Sequence, residues 1–412
     1  MWTLSTEYQK ALGRKIAFHR KRRGLSQKEF AGLLERSEAW VSQVERGVRR
    51  IDRMTVLEKV AEVLELPIAE LAAEAPIVAS AAEGESPGAG RLRLVLSAAH
   101  SLKAVLDRQD TPPDVPALRA EVDHAWELTH QGNYADLAEL LEGLVPRLEA
   151  ATRSAPAADR PELFRLLAVM YHTCSGALAN MGEPEAAWIA VDRAVVAAER
   201  AGDPLLMAAG AFRLSIVFLG ARHFEQAAQA SGTAADALGP LADSGRVEAV
   251  AVRGALTLQR AVAAARLSLA DEAYGYLRDA RVMAEQVGDG RNDYNTEFGP
   301  TNVGLHEVAV AVDLGDAGVA LRAAQSVDAS GLSTERQTRF QIDVARAYAQ
   351  RRQVTDAVAA LMKARGLSSG MVRALPIVKQ IVADLLTMSQ QPSEELRALA
   401  GESGVHQAWT GT

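Results

Sequence analysis

The sequence predicts an all-α chain in two parts: a small basic module of five short helices, then a longer body of paired helices. Three observations carry that expectation. From Arg91 onward only helical periodicity is visible. Small residues recur at a fixed offset inside successive helix pairs. Charge is split unevenly, since residues 8–53 hold 13 Lys/Arg against 5 Asp/Glu, net +8, whereas residues 76–412 hold 31 against 41, net -10.

Composition bounds the rest. At 412 residues and 48% hydrophobic, the chain is long enough for two or three domains with cores of their own. A net charge of only -7 excludes an extended, self-repelling disordered chain. Cys174 is the single cysteine, so neither a disulfide scaffold nor a cysteine zinc cluster is available. The opening MWTLSTEYQK has no basic stretch leading into an apolar one, and arginines interrupt apolar runs such as VEAVAVRGALTLQRAVAAARLSLA. A cytoplasmic protein with no membrane partner is expected.

The first helix is expected from about Thr6 to Arg23, with Leu12, Ile16 and Phe18 among basic residues and a stop at Gly24. Ser26 and Glu29 form a capping box that starts a second helix through Leu34. Ser37 caps a third, Glu38 to Arg46, closed by Gly47. Thr55–Leu64 and Pro67–Ala73 supply two more, with Pro67 at a first helical position. Two short helices joined by a tight turn are the helix-turn-helix layout, and a basic patch on an acidic body is the electrostatic footprint of a nucleic-acid reader.

The segments RRGLSQKEFA, SEAWVSQVERG and MTVLEKVAEVLELPIAEL resemble the XRE-family, phage-repressor-like helix-turn-helix at nearly every motif position. The resemblance implies that Gln27, opening the second helix, bonds a backbone phosphate of double-stranded DNA. It also implies that the third helix lies in the major groove and presents Ser37, Glu38, Ala39, Trp40 and Gln43. Gln43 suits adenine, Ala39 a thymine methyl and Glu38 the cytosine amino group. Arg49, Arg50 and Arg53 fall where the family contacts phosphates. Val41 and Val44 should face the core, and Arg20 with Glu45 matches a partly buried structural ion pair of this fold. Trp40 replaces the small or polar residue usual there, and either stacks on DNA or packs against a neighbouring turn. Glu38 is also favourable at a helix N-terminus with no DNA present.

Residues 74–90, EAPIVASAAEGESPGAG, read as a flexible tether, which divides the chain into a DNA-binding domain at 1–75, a linker at 76–90 and a body at 91–412. In the body, aligning on GxxxxAxxxAxxA places anchors at Leu137, Ala187, Ala227, Ala273, Ala320 and Ala357. Twelve positions upstream sit Ala125, Ser175, Ser215, Ala261, Val308 and Ala345, all but Val308 very small, as close helix crossing requires. ALANMGEPEAAWIAVDRAVVAAERAGDP resembles the tetratricopeptide repeat, although the anchors lie 50, 40, 46, 47 and 37 residues apart. That likeness implies an α-solenoid whose concave face comes from the first helix of each pair, with residues 371–400 capping the last.

A helix-turn-helix joined to such a solenoid resembles regulators, quorum-sensing ones among them, in which a signalling peptide or small effector occupies the concave groove. The resemblance places His172, Asn180, Arg213, Arg266, Asn302, His306, Arg339, Arg346 and Gln350 along that groove. Each is alternatively a solvated or inter-repeat polar residue. Within NDYNTEFGPTNV, residues 292–303, the FGPTNV end looks like a recurring feature of actinobacterial regulators of this build. Tyr294, Phe298 and Asn302 either lip the groove, or Phe298 and Pro300 plug the joint between repeats.

Eight histidines show no metal-ligand spacing, no G-x-S-x-G elbow is present, and GESPGAG is no phosphate loop. No metal, cofactor or catalytic role is expected. The expected function is a homodimeric, DNA-binding transcription regulator on a palindromic operator, with a sensing body. The alternative is a scaffold whose repeats dock a partner protein, with the helix-turn-helix a weak tether.

Overall fold

The computed structural model describes residues 12–21, 23–49, 51, 54–64, 88–97, 113–389 and 391–405. All regular structure among them is helical, and the chain divides into two units, the larger spanning Glu85–Val405.

The small unit contains α1 (12–21), α2 (Gln27–Leu33), α3 (Glu38–Glu45) and α4 (Met54–Leu64). Its capping follows the sequence: Ser26 and Glu29 form both halves of the box, Ser37 caps α3, and Gly24 and Gly47 close α1 and α3 at φ 70° and 69°. Val41 and Val44 are buried with Leu12, Ile16, Phe30 and Val60. A methyl at Gly13 would collide with the Val44 and Glu45 carbonyls, so α1 crosses the end of α3 where no side chain fits. Glu35, in the α2–α3 turn, is left-handed at φ 53°. The helix expected at Pro67–Ala73 lies outside the described residues.

The larger unit starts with α5 (Ala89–Val95), whose Ala89, Leu92 and Val95 are buried against α7. Residues 89 and 90, the end of the expected tether, stand in this helix, and residues 74–87 lie outside the described residues. Six helix pairs follow: α6 (Val115–His130) with α7 (Tyr134–Ser154), α8 (Arg160–Asn180) with α9 (Pro184–Ala201), and α10 (Pro204–Gly220) with α11 (Phe224–Ala237). Then come α13 (Val247–Arg266) with α14 (Ala270–Val287), α15 (Pro300–Asp313) with α16 (Ala317–Ala324), and α17 (Thr334–Gln350) with α18 (Val354–Leu367). All six anchors and all six upstream partners are at most 1% exposed. In the third pair the contact is direct, since the Ser215 hydroxyl donates to the Ala227 carbonyl at 3.1 Å.

The turn inside each pair repeats as well. Five residues before every anchor stands a left-handed residue: Gly132, Gly182, Arg222, Ser268, Gly315 and Arg352. The uneven spacing has local causes: α7 and α8 run 21 residues each, a short helix α12 (Gly239–Asp243) is inserted after α11, and a loop fills 288–299.

The two ends of the array meet, which an open solenoid would not do. The core of α5–α10 runs on into α17–α18 and into the last helices, α19 (Ser369–Ala374), α20 (Pro376–Met388) and α21 (Glu394–Glu402). Helix α6 touches α17, and Gly132 in the first turn is backed by Ser368 and Met371. Residues 371–400 thus do more than cap the last pair, because the apolar flanks of the first and last pairs cover each other. Among the described residues no helix is long and apolar enough to cross a membrane.

Candidate DNA-facing helix and effector site

The residues at the start of α3 are arranged by its cap. The Ser37 hydroxyl accepts from the Trp40 amide at 3.2 Å, which leaves Glu38 and Ala39 exposed beside it and Gln43 half-buried one turn on. Beneath them Arg20 donates to Glu45 at 2.5 and 3.0 Å and to the Leu25 carbonyl at 2.5 Å. Gln27 completes the network, donating to Glu45 at 2.7 Å and keeping its second amide hydrogen for another acceptor. Trp40 is half-buried against the core, with the Arg36 guanidinium 5.8 Å from its ring centre. Arg49 is exposed; Arg50 and Arg53 lie outside the described residues.

In the repeat body, side chains from helices far apart in sequence converge on the inner face. Arg213 on α10 stacks 5.2 Å from the ring centre of Trp126 on α6 and donates to the Asn295 carbonyl at 2.6 Å. Asn180 on α8 donates to the Tyr134 hydroxyl at 2.5 Å and accepts from Arg339 on α17. Arg339 also reaches Glu335 at 3.3 Å. Three polar atoms here are buried without a partner: Trp126 Nε1, His172 Nε2 and Arg213 Nε. Their electrostatics fit that position. Burial, reinforced by Arg213, holds the His172 imidazole down to about 3, and burial lowers Arg213 to about 10. Unsatisfied donors this deep cost about 1–3 kcal/mol each, and a ligand that met them would recover that energy.

The loop 288–299 lies across this face as a strap. Arg213 holds the Asn295 carbonyl, Arg336 the Thr296 carbonyl at 3.2 Å, and Asn302 the Glu297 carbonyl at 2.9 Å. The Glu297 carboxylate accepts from the Ser333 amide and hydroxyl, both at 2.8 Å, and the Tyr294 hydroxyl donates to Asp203 at 3.2 Å. Tyr294, Asn295 and Glu297 are all left-handed, at φ 50°, 56° and 50°. None is a glycine, so the strap carries about 1–2 kcal/mol of strain per residue, held in place by these bonds.

The expected groove residues therefore sort into three groups. His172, Asn180, Arg213 and Arg339 meet at the inner face, with Tyr294 on the strap above them. Asn302 and His306 support the strap from below, where His306 bonds the Asn302 carbonyl at 2.8 Å and burial holds its imidazole down to about 4. Arg266, Arg346 and Gln350 are joints between pairs: both arginines meet Asp313 at 2.5 Å, and Gln350 donates to the Val312 carbonyl at 2.8 Å. Phe298 is a plug, 1% exposed and seated where any side chain at Gly254 would collide with its ring. Trp126, Glu335 and Arg336 belong to the site and were not anticipated. The i,i+4 pairing of Glu335 with Arg339 was a visible signal; Trp126 gave none beyond adjoining Ala125, the upstream partner of the anchor Leu137.

With this geometry in place, residues 11–73 match the family model of a helix-turn-helix domain. The N-terminal unit is a helix-turn-helix domain. No curated protein matches the chain. Among solved structures, it is similar at 15% identity to Bacillus thuringiensis PlcR, solved in complex with the peptide PapR7 and DNA. That likeness covers 67% of this chain and 95% of the other, with a TM-score of 0.25, too low to equate residues. The helix-turn-helix domain accounts for the basic N-terminus, the capped α3 and the buried Arg20–Glu45 pair beneath it.

Proposed function

We propose that the protein is a sequence-specific, DNA-binding transcription regulator whose repeat body senses a signalling peptide or small molecule. The observation that carries this reading is the helix-turn-helix domain itself, with α3 buried through Val41 and Val44 and open to solvent at Glu38 and Ala39. A recognition helix of this length reads few base pairs, so the protein acts as a homodimer on a two-fold operator of the XRE type. Gln43, Ala39 and Glu38 read bases, and Ser37, Gln27, Arg49, Arg50 and Arg53 hold the backbone.

The effector binds the inner face of the tetratricopeptide-like body. Its carboxylate or amide competes with the Asn295 carbonyl for Arg213 and satisfies Trp126 Nε1 and His172 Nε2. Selection of the full-length protein on a random duplex library tests the first half of the proposal. The expected result is an enriched palindrome whose binding weakens steeply with salt. Failure to enrich any motif, with or without cell extract as an effector source, would overturn it.

A further inference from the structure

The repeat body has a second concavity, on a different side of α8 from His172. It is a cleft of about 800 Å³ between the C-terminal half of α7, the first half of α8 and the end of α9. That volume is in the range of small-molecule sites. The neighbouring residues Tyr171 and His172 divide the helix, with Tyr171 in the cleft and His172 at the inner face.

The lining is unlike the acidic body around it. Four guanidiniums border the cleft, from Arg153, Arg160, Arg193 and Arg200, against two carboxylates, Glu149 and Asp192. Glu149 is already engaged: at 6% exposure it accepts from the Tyr171 hydroxyl at 2.5 Å and lies 3.5 and 3.7 Å from Arg153 and Arg193. Arg160 donates to the Ala155 carbonyl at 3.0 Å, and Arg200 lies 5.3 Å from the Phe164 ring centre. Neither has a carboxylate partner among the described residues. The lining thus carries a surplus of two positive charges, set around an apolar floor of Leu167, Ala197 and Phe164.

We infer that this cleft binds a nucleotide, a phosphate ester carrying a flat ring. Two surplus guanidiniums match a phosphate, which holds about -1.5 to -2 charges at neutral pH and accepts guanidinium donors in pairs. The ring fits the other half of the site, because guanidinium planes offer stacking surfaces over the apolar floor. The inference is independent of the DNA-reading proposal, since no cleft residue belongs to the helix-turn-helix domain or the inner face.

The test is calorimetric titration of the full-length protein with ATP, pyrophosphate and adenosine in turn, without divalent cations. The basic N-terminal domain also attracts anions, so the exposed pair Arg160→Glu and Arg200→Glu, the two guanidiniums without a carboxylate partner among the described residues, is compared with an Arg49→Glu control. The expected result is ATP binding at least tenfold tighter than either pyrophosphate or adenosine, weakened at least tenfold by the cleft pair and unchanged in the control. Circular dichroism melting of the variants matches the parent, since both substituted side chains lie at the rim. Equal affinity for pyrophosphate and ATP, ATP binding unaffected by the cleft pair, or no binding at millimolar ATP would each overturn the assignment.

Discussion

The helix-turn-helix domain keeps its strongest charges underneath and the start of α3 in solvent: Arg20 and Gln27 are both bonded to Glu45, while Glu38 and Ala39 are exposed on top. The repeat body does the reverse, turning Arg213, His172, Arg339 and Glu335 inward and leaving three polar atoms of this inner face, Trp126 Nε1, His172 Nε2 and Arg213 Nε, unsatisfied. Under the proposed function, the difference follows from what each would meet. Duplex DNA is a large rigid partner that brings its own charge to an exposed face, so that face has only to be held still. A small effector must be desolvated and enclosed, which calls for donors already stripped of water whose present partners can be replaced.

The sharpest way to break this contrast is Arg20→Ala, which leaves Glu45 buried without its counter-charge. It should destabilise the helix-turn-helix domain by about 3–5 kcal/mol, read as lost hydrogen-exchange protection over residues 12–64. Arg20→Lys should not restore it, because an ammonium cannot bond both oxygens of Glu45 and the Leu25 carbonyl in one plane. Acid should act on the other unit. His172 and His306 are held near 3 and 4, below the ordinary histidine value of 6.5, so the folded body keeps them neutral while the unfolded chain protonates them. Their contribution is complete above pH 6.5 and is lost as pH falls from there towards 4 and 3. For His172 that is about 1.4 kcal/mol per pH unit, or about 2 kcal/mol at pH 5. Urea midpoints between pH 7 and 5 check it, and His172→Gln should flatten the decline.

Smaller effects sharpen the comparison. Gln43→Ala should relax base preference at one operator position by about 1–3 kcal/mol, while Arg49→Ala should weaken all sequences alike and reduce the salt slope by about 1. Parallel duplex selections and salt titrations separate these two outcomes. In the body, Arg222→Gly, Ser268→Gly and Arg352→Gly each relieve a left-handed residue in a turn where three sister pairs already use glycine. Each should raise stability by up to about 1 kcal/mol in urea unfolding.

The small unit was legible almost residue by residue because its signals are local. Ser26, Glu29, Ser37, Gly24 and Gly47 act within one turn of where they stand. The six anchors and their six upstream partners were legible for a similar reason, since close helix crossing favours small side chains, found at all of them but Leu137 and Val308, and leaves a periodic trace. The meeting of the two ends left no such trace. It depends on Gly132 facing Ser368 and Met371, more than two hundred positions away, and no spacing rule links them. The inner site was half visible: arginines and histidines announced themselves, but Arg266, Arg346 and Gln350 look the same in sequence as Arg213 and differ in being tied to Asp313 or to the Val312 carbonyl of the neighbouring pair, whereas Arg213 reaches Trp126 and the strap. Phe298 was ambiguous until Gly254, 44 positions upstream, showed the space it fills.

The meeting of the first and last pairs also changes how the body comes apart. An open array of repeats frays like a ladder, losing end rungs first and keeping its middle. Here the array is a hoop: there is no end rung to lose, since α6 leans on α17 and the first turn on α19. Loosening any one pair slackens its neighbours in both directions, and the whole circumference should melt together. A ligand that tightens the centre then tightens the rim everywhere, including the first pair.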